Sequence, residues 1–244
     1  MLDRVFIAPL LVLALIGSPL AALAQDPTLP RFDIGIVVDG PWERNDEVRD
    51  LTRKEILALT EGEFDVRFPD EYYLTGDWTV EGAIRNLGTL LADPEVDLVI
   101  AWGVLSSHSI CCLVGVTKPV IAPVVLDVRL QGVPYQDGVS GVPNLNYVAL
   151  PDTSADEINR FREVFPFDKI AFIANAAIVE AIPDLDRRTE LALAGTGLEF
   201  DYIPVRFDAE EALKAIPPDT EAVFMYPQVQ LPLSEQLKLV EGCL

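Results

Sequence analysis

Short apolar runs alternate with longer amphipathic stretches along most of this chain. The run 32–38 (FDIGIVV) ends in Asp39-Gly40-Pro41, which reads as a strand followed by a turn. Asn45 is placed to cap a helix over 46–60, whose Val48, Leu51, Ile56, Leu57 and Leu59 lie roughly on one face. Phe64, Val66 and Phe68 alternate with polar residues as in a strand, and a loop with Tyr72, Tyr73 and Trp78 follows. A helix is expected over 79–92, a buried strand over 96–102 (VDLVIAW), a small-residue helix over 106–114 and a strand over 119–126. Continuous apolar strands separated by helices indicate a parallel sheet covered on both faces.

The pattern breaks between residues 127 and 146. That stretch is rich in Gly, Pro, Asn and Asp, has no helical period, and reads as a crossover or linker. Alternation then resumes, with strands expected at 147–150, 169–174, 200–205 and 221–226. Helices are expected over 154–165, capped by Thr153 or Ser154, and over 183–194, 208–216 and 233–244. The expected organisation is therefore a first α/β lobe at 31–130, a crossover or hinge at 131–146 and a second lobe at 147–244.

Composition narrows the function. The 244 residues carry 39 Asp+Glu against 18 Lys+Arg, a formal net charge of −21. Phosphate binding draws on Lys and Arg, so a nucleic-acid partner is not expected. The single histidine, His108, excludes HExxH and paired-histidine metal sites, and no metal or cofactor is expected. No Walker A, G-x-S-x-G or strand-borne G-x-G-x-x-G sequence occurs, and no carboxylate pair stands out as an acid/base dyad, so the chain reads as a non-enzyme. Residues 5–24 form an uncharged apolar stretch ending in Ala22-Leu23-Ala24, which reads as a signal peptide over 1–24 cleaved before Gln25. The mature chain is then expected in the periplasm, without direct membrane insertion. Cys111 and Cys112 read as small apolar residues on a buried helix rather than as a redox pair.

The strand–helix order, with IGIVVDG at 34–40, DLVIAWG at 97–103, KPVIAPVVLD at 118–127, the crossover GVSGVPN at 138–144 and FREVFPFDKIAFIAN at 161–175, resembles the type I periplasmic binding fold. More specifically, it is similar to the ABC transporter substrate-binding proteins of the tryptophan-binding-like group. The resemblance implies two lobes closing on a small-molecule solute, a permease as membrane partner, and later strands that complete the second lobe, which is therefore expected to be incomplete here.

In open parallel sheets, ligands sit outside the carboxyl ends of the strands. Those ends carry Asp39 and Trp42, then Tyr72 and Trp78, then Gly103 with Ser106, Ser107 and His108, then Asp127, and in the second lobe Asn175 and Tyr226 with Gln228. Helix starts at Ser106 and Ala176 would offer N–H groups to a carboxylate, whereas Asp39 and Asp127 could receive an ammonium or serve as turn formers. The tryptophans and tyrosines could stack on a flat ligand or pack the lobes. An amino-acid-like or aromatic solute suits this mixture, and a sugar also fits. The alternative is a non-catalytic accessory envelope protein of an efflux or export system, with a filled or absent cleft.

Overall fold

The computed structural model describes residues 29–150 and 154–244. The expected signal peptide and Thr153, one of the two residues expected to cap the next helix, lie outside the described residues. Among the described residues no helix is long and apolar enough to cross a membrane.

The first sheet is built around β1 (Arg31–Val38), whose last six residues are buried. Next come α1 (Asn45–Thr60), β2 (Asp65–Arg67), a 3-10 turn at Asp70–Tyr72 and β3 (Tyr73–Thr75). β2 and β3 pair in parallel with successive halves of the same edge of β1, so together they act as one strand interrupted by the turn. The chain then crosses to the other edge of β1 through α2 (Val80–Ala92) into β4 (Leu98–Trp102). α3 (Val104–Cys112), β5 (Val120–Val125), the single-turn α4 (Val128–Gln131) and β6 (Leu145–Ala149) complete the lobe. The strand order is β2/β3-β1-β4-β5-β6, all parallel, with the reversal of direction between β1 and β4.

Two expectations change here. The strand expected at 147–150 was placed at the start of the second lobe, but β6 pairs with β5, so the first sheet reaches Ala149. The interval expected to be only linker contains α4, because Asp127 caps it and Gly132 ends it in the left-handed region.

The second sheet contains β7 (Lys169–Asn175), β8 (Glu199–Val205) and β9 (Ala222–Met225) in the parallel order β8-β7-β9. Its helices are α5 (Ser154–Val164), α6 (Ala176–Ala181), α7 (Leu185–Ala192), α8 (Ala209–Ala215) and α9 (Leu233–Gly242). β7 is the buried centre, with six of its seven residues inaccessible, which explains its unbroken apolar run. On one side it packs with Ile203, Val205, Ala209, Ala212 and Leu239, and on the other Phe172 joins Phe167, Leu193 and the rings of Phe200, Tyr202, Phe224 and Tyr226.

The two lobes meet directly. Ala83 of α2 and Leu105 of α3 pack with Ala177, Ile178 and Ala181 of α6 in one apolar cluster. His108 Nε2 lies 3.1 Å from the Ala181 carbonyl oxygen, and Arg188 of α7 donates to the Arg129 carbonyl of α4 at 3.1 Å. Both bonds cross from one lobe to the other.

Candidate functional site

The reversal between β1 and β4 and that between β7 and β9 bring the carboxyl ends of β1, β4, β5, β7 and β9 around one cavity of about 330 Å³. The first lobe lines it with Asp39, Gly40, Trp42, Asn45, Trp78, Trp102, Gly103, Leu126, Asp127 and Gln131. The second lobe contributes Asn175, Ile178, Val179, Ile182, Tyr202, Tyr226, Val229 and Gln230. The chain has three tryptophans, and all three line this cavity.

Asp39 organises the first-lobe wall. Its carboxylate accepts from Leu105 N–H at 2.9 Å and Ser106 N–H at 2.8 Å, closing the amino end of α3. Burial pushes its pKa up, and the backbone N–H groups of Ser106 and Leu105 work in the opposite direction. The carboxylate fits only because residue 103 is glycine: a Cβ there would collide with it, and φ is +154°. The Asp39 carbonyl also accepts from Trp78 N–H at 2.9 Å. Trp78 holds φ +61°, uncommon for a bulky side chain, and its ring lies over Gly40, where a Cβ would meet the indole.

Asp127 and Asn175 play the same capping part on the next strand ends. Asp127 Oδ1 accepts from Arg129 N–H at 2.7 Å and Leu130 N–H at 2.8 Å, and Asn175 Oδ1 accepts from Ala177 N–H at 2.8 Å. The helix starts expected to greet a ligand carboxylate are thus occupied by the protein's own side chains. Asn45, expected as a helix cap, instead donates from Nδ2 to the Gly40 carbonyl at 2.9 Å and holds the turn beside the cavity.

Tyr202 and Tyr226 form the second-lobe wall. Burial raises both phenol pKa values, with Asp127 among the lesser contributors to each, so that carboxylate lies within electrostatic reach of the two rings. Tyr202 O–H pairs with Thr189 Oγ1 at 2.7 Å. Below them runs a chain of amides. Gln228 Nε2 donates to the Ile173 carbonyl at 3.2 Å and the Tyr226 carbonyl at 2.8 Å. Its Oε1 accepts from Gln230 Nε2 at 2.8 Å.

Of the residues read from the sequence, Asp39, Trp42, Trp78, Gly103, Asp127, Asn175 and Tyr226 line the cavity. Tyr72, Ser106 and Ser107 do not. Tyr72 packs against the first-lobe core. Ser107 Oγ donates to the Ala101 carbonyl at 2.8 Å and accepts from Val124 N–H at 3.2 Å, so it fastens α3 to the sheet. Ser106 is fully buried behind Asp39. His108 bridges the lobes, and burial lowers its pKa. Cys111 is in the core, with its thiol pushed up to about 12, but Cys112 is exposed, so only one of the pair behaves as the buried apolar residue expected.

Sequence reading missed Trp102, Gln131, Tyr202 and Gln230. Trp102 was detectable as the aromatic at the carboxyl end of β4. Gln131 lay in a stretch without helical period, and only its place on α4 brings it to the cavity.

No family model matches the chain, and no curated protein does. Solved structures match its fold. An ABC domain from Streptococcus pneumonia in complex with L-Trp superposes with a TM-score of 0.63 at 12% identity, over 87% of this chain and 70% of that one. A conserved domain protein from Vibrio cholerae gives 0.58 at 16%, over 87% and 69%. An extracellular ligand-binding receptor from Verminephrobacter eiseniae gives 0.55 at 12%, over 87% and 61%. Two parallel α/β lobes meeting across the carboxyl ends of their strands, in the arrangement these structures share, give the chain the two-lobed type I periplasmic-binding-protein-like fold.

Proposed function

We propose that the chain is an exported, non-catalytic solute-binding protein that holds a small aromatic or apolar organic molecule between its lobes for an ABC-type transporter. One observation carries the reading: a cavity of about 330 Å³ at the carboxyl ends of both sheets, walled by three tryptophans, two tyrosines and aliphatic side chains. That volume is near the lower end of known small-molecule sites, at roughly 300 Å³, and suits a single ring system with a short substituent. The bound L-Trp of the Streptococcus protein supports an aromatic ligand by analogy of fold. Export rests on the apolar segment at 5–24. The polar groups that the described residues set around the cavity are helix caps and amide links. An accessory role would call for a filled or absent cleft, and the cavity weighs against it.

The mechanism is ligand-biased closure. A solute touching both walls favours the state in which α3 and α4 are held against α6 and α7. The test is a thermal-melt screen of the purified protein against aromatic amines, amino acids, nucleosides and sugars. A ligand at about 100 times its dissociation constant stabilises by about 2.7 kcal/mol. A reproducible shift confined to aromatic compounds supports the reading, and a shift produced only by sugars refutes it.

A further inference from the structure

The charge balance of the cavity wall narrows the ligand further. Among the described residues its lining includes two carboxylates, Asp39 and Asp127, and no Lys, Arg or His. A bound anion would need a cation or a free cluster of N–H groups, because its hydration is lost on entry. Neither is present. The amino ends of α3, α4 and α6 are closed by Asp39, Asp127 and Asn175 respectively.

The polar groups left open have the opposite preference. Asp127 uses Oδ1 for its two backbone bonds, which leaves Oδ2 outside the helix cap. Gln230 is 7% exposed, and its Oε1 is buried without a partner. Its orientation is fixed, because Gln228 Oε1 and the Val205 carbonyl both demand a donor from Gln230 Nε2. Gln131 is 3% exposed, and its Nε2 is likewise buried and unpartnered. That orientation is fixed too, since its Oε1 accepts from Leu126 N–H at 2.7 Å and Asp127 N–H at 3.2 Å. The cavity wall thus carries the Asp127 carboxylate, and the unpaired amide atoms of Gln131 and Gln230 lie buried within that wall. Buried polar atoms are rarely left unmatched in a finished binding state.

Building on the aromatic-solute reading, we infer that the ligand is a protonated aromatic amine without a carboxylate. Its ring lies among the tryptophans and tyrosines, and its ammonium is held by the Asp127 carboxylate. The aromatic faces add cation–π attraction for the same charge. An amino acid would bring its carboxylate against Asp39 and Asp127 with nothing to neutralise it.

The experiment is isothermal calorimetry on the purified protein with four indoles that differ in charge: tryptamine, tryptophan, indole-3-acetate and indole. Tryptamine is expected to bind at least tenfold more tightly than tryptophan and indole, and indole-3-acetate more weakly than either. Asp127→Asn keeps the Oδ1 cap and removes the charge. It should weaken tryptamine at least tenfold more than it weakens indole. Binding of tryptophan or indole-3-acetate as tight as that of tryptamine overturns the charge assignment and leaves the aromatic reading standing. Absence of binding by all four overturns both.

Discussion

The two lobes present different chemistry to the same cavity. The first lobe supplies both carboxylates and all three tryptophans. Among the described residues the second supplies no charge, only tyrosines, aliphatic side chains and amides. The difference follows from how each fold closes its helices. In the first lobe Asp39 and Asp127 cap α3 and α4, and in the second Asn175 caps α6. One type of structural requirement, an acceptor for orphan N–H groups at a strand end, leaves charge on one wall and none on the other. Ligand charge should therefore be read by the first lobe, and ligand shape by both.

The largest expected effect is at the base of the charged wall. Gly103→Ala drives a Cβ into the Asp39 carboxylate at a φ of +154°. It should destabilise the protein by about 3 kcal/mol or more and abolish ligand binding, as measured by denaturant unfolding and calorimetry. On the neutral wall, Tyr226→Leu should weaken charged and uncharged aromatic ligands alike, by roughly tenfold or about 1.4 kcal/mol. Asp127→Asn is expected to penalise only the cation, so the pair of variants separates the two walls. If Tyr226→Leu proved charge-selective, the contrast between the lobes would fail.

A smaller effect concerns the contact that joins the lobes. His108 faces the Ala181 carbonyl through Nε2, so its neutral ring carries the proton there. Burial lowers its pKa from the ordinary 6.5, with Arg188 a further contributor in the same direction. The unfolded chain then takes up a proton near that pH which the folded chain refuses. Stability present above about pH 6.5 is lost as pH falls through that value towards the folded pKa. His108→Gln keeps a donor for Ala181 and should remove this step from the stability–pH curve. The smallest effect is local. Alkylation at pH 8 should modify Cys112 in the native state and spare Cys111 until the protein unfolds, because burial holds the Cys111 thiol near 12.

Much of the fold was legible in sequence because buried parallel strands announce themselves as unbroken apolar runs. β1, β4, β5 and β7 were found that way. β3 was not, because three half-buried residues after a tight turn carry no period of their own. α4 and β6 were misassigned for a related reason: a one-turn helix held by a cap has no amphipathic pattern, and a short edge strand does not reveal which sheet it joins. For the site, strand-end residues such as Asp39, Trp78 and Asn175 could be read from position alone. Ser106 and Ser107 could not be separated from them, since whether a hydroxyl faces the cavity or the sheet depends on the rotation of α3. Gln131 and Gln230 were illegible, because their value lies in which of their amide atoms the fold leaves unpaired.

The most direct measurement of solute binding uses the tryptophans. All three line the cavity, so the three indole N–H resonances of the labelled protein report on that site alone. Titration with unlabelled tryptamine should move all three, saturably and with one common dissociation constant. Resonances that stay in place, or drift linearly without saturation, with tryptamine and equally with indole and tryptophan would contradict an aromatic-solute site between the lobes.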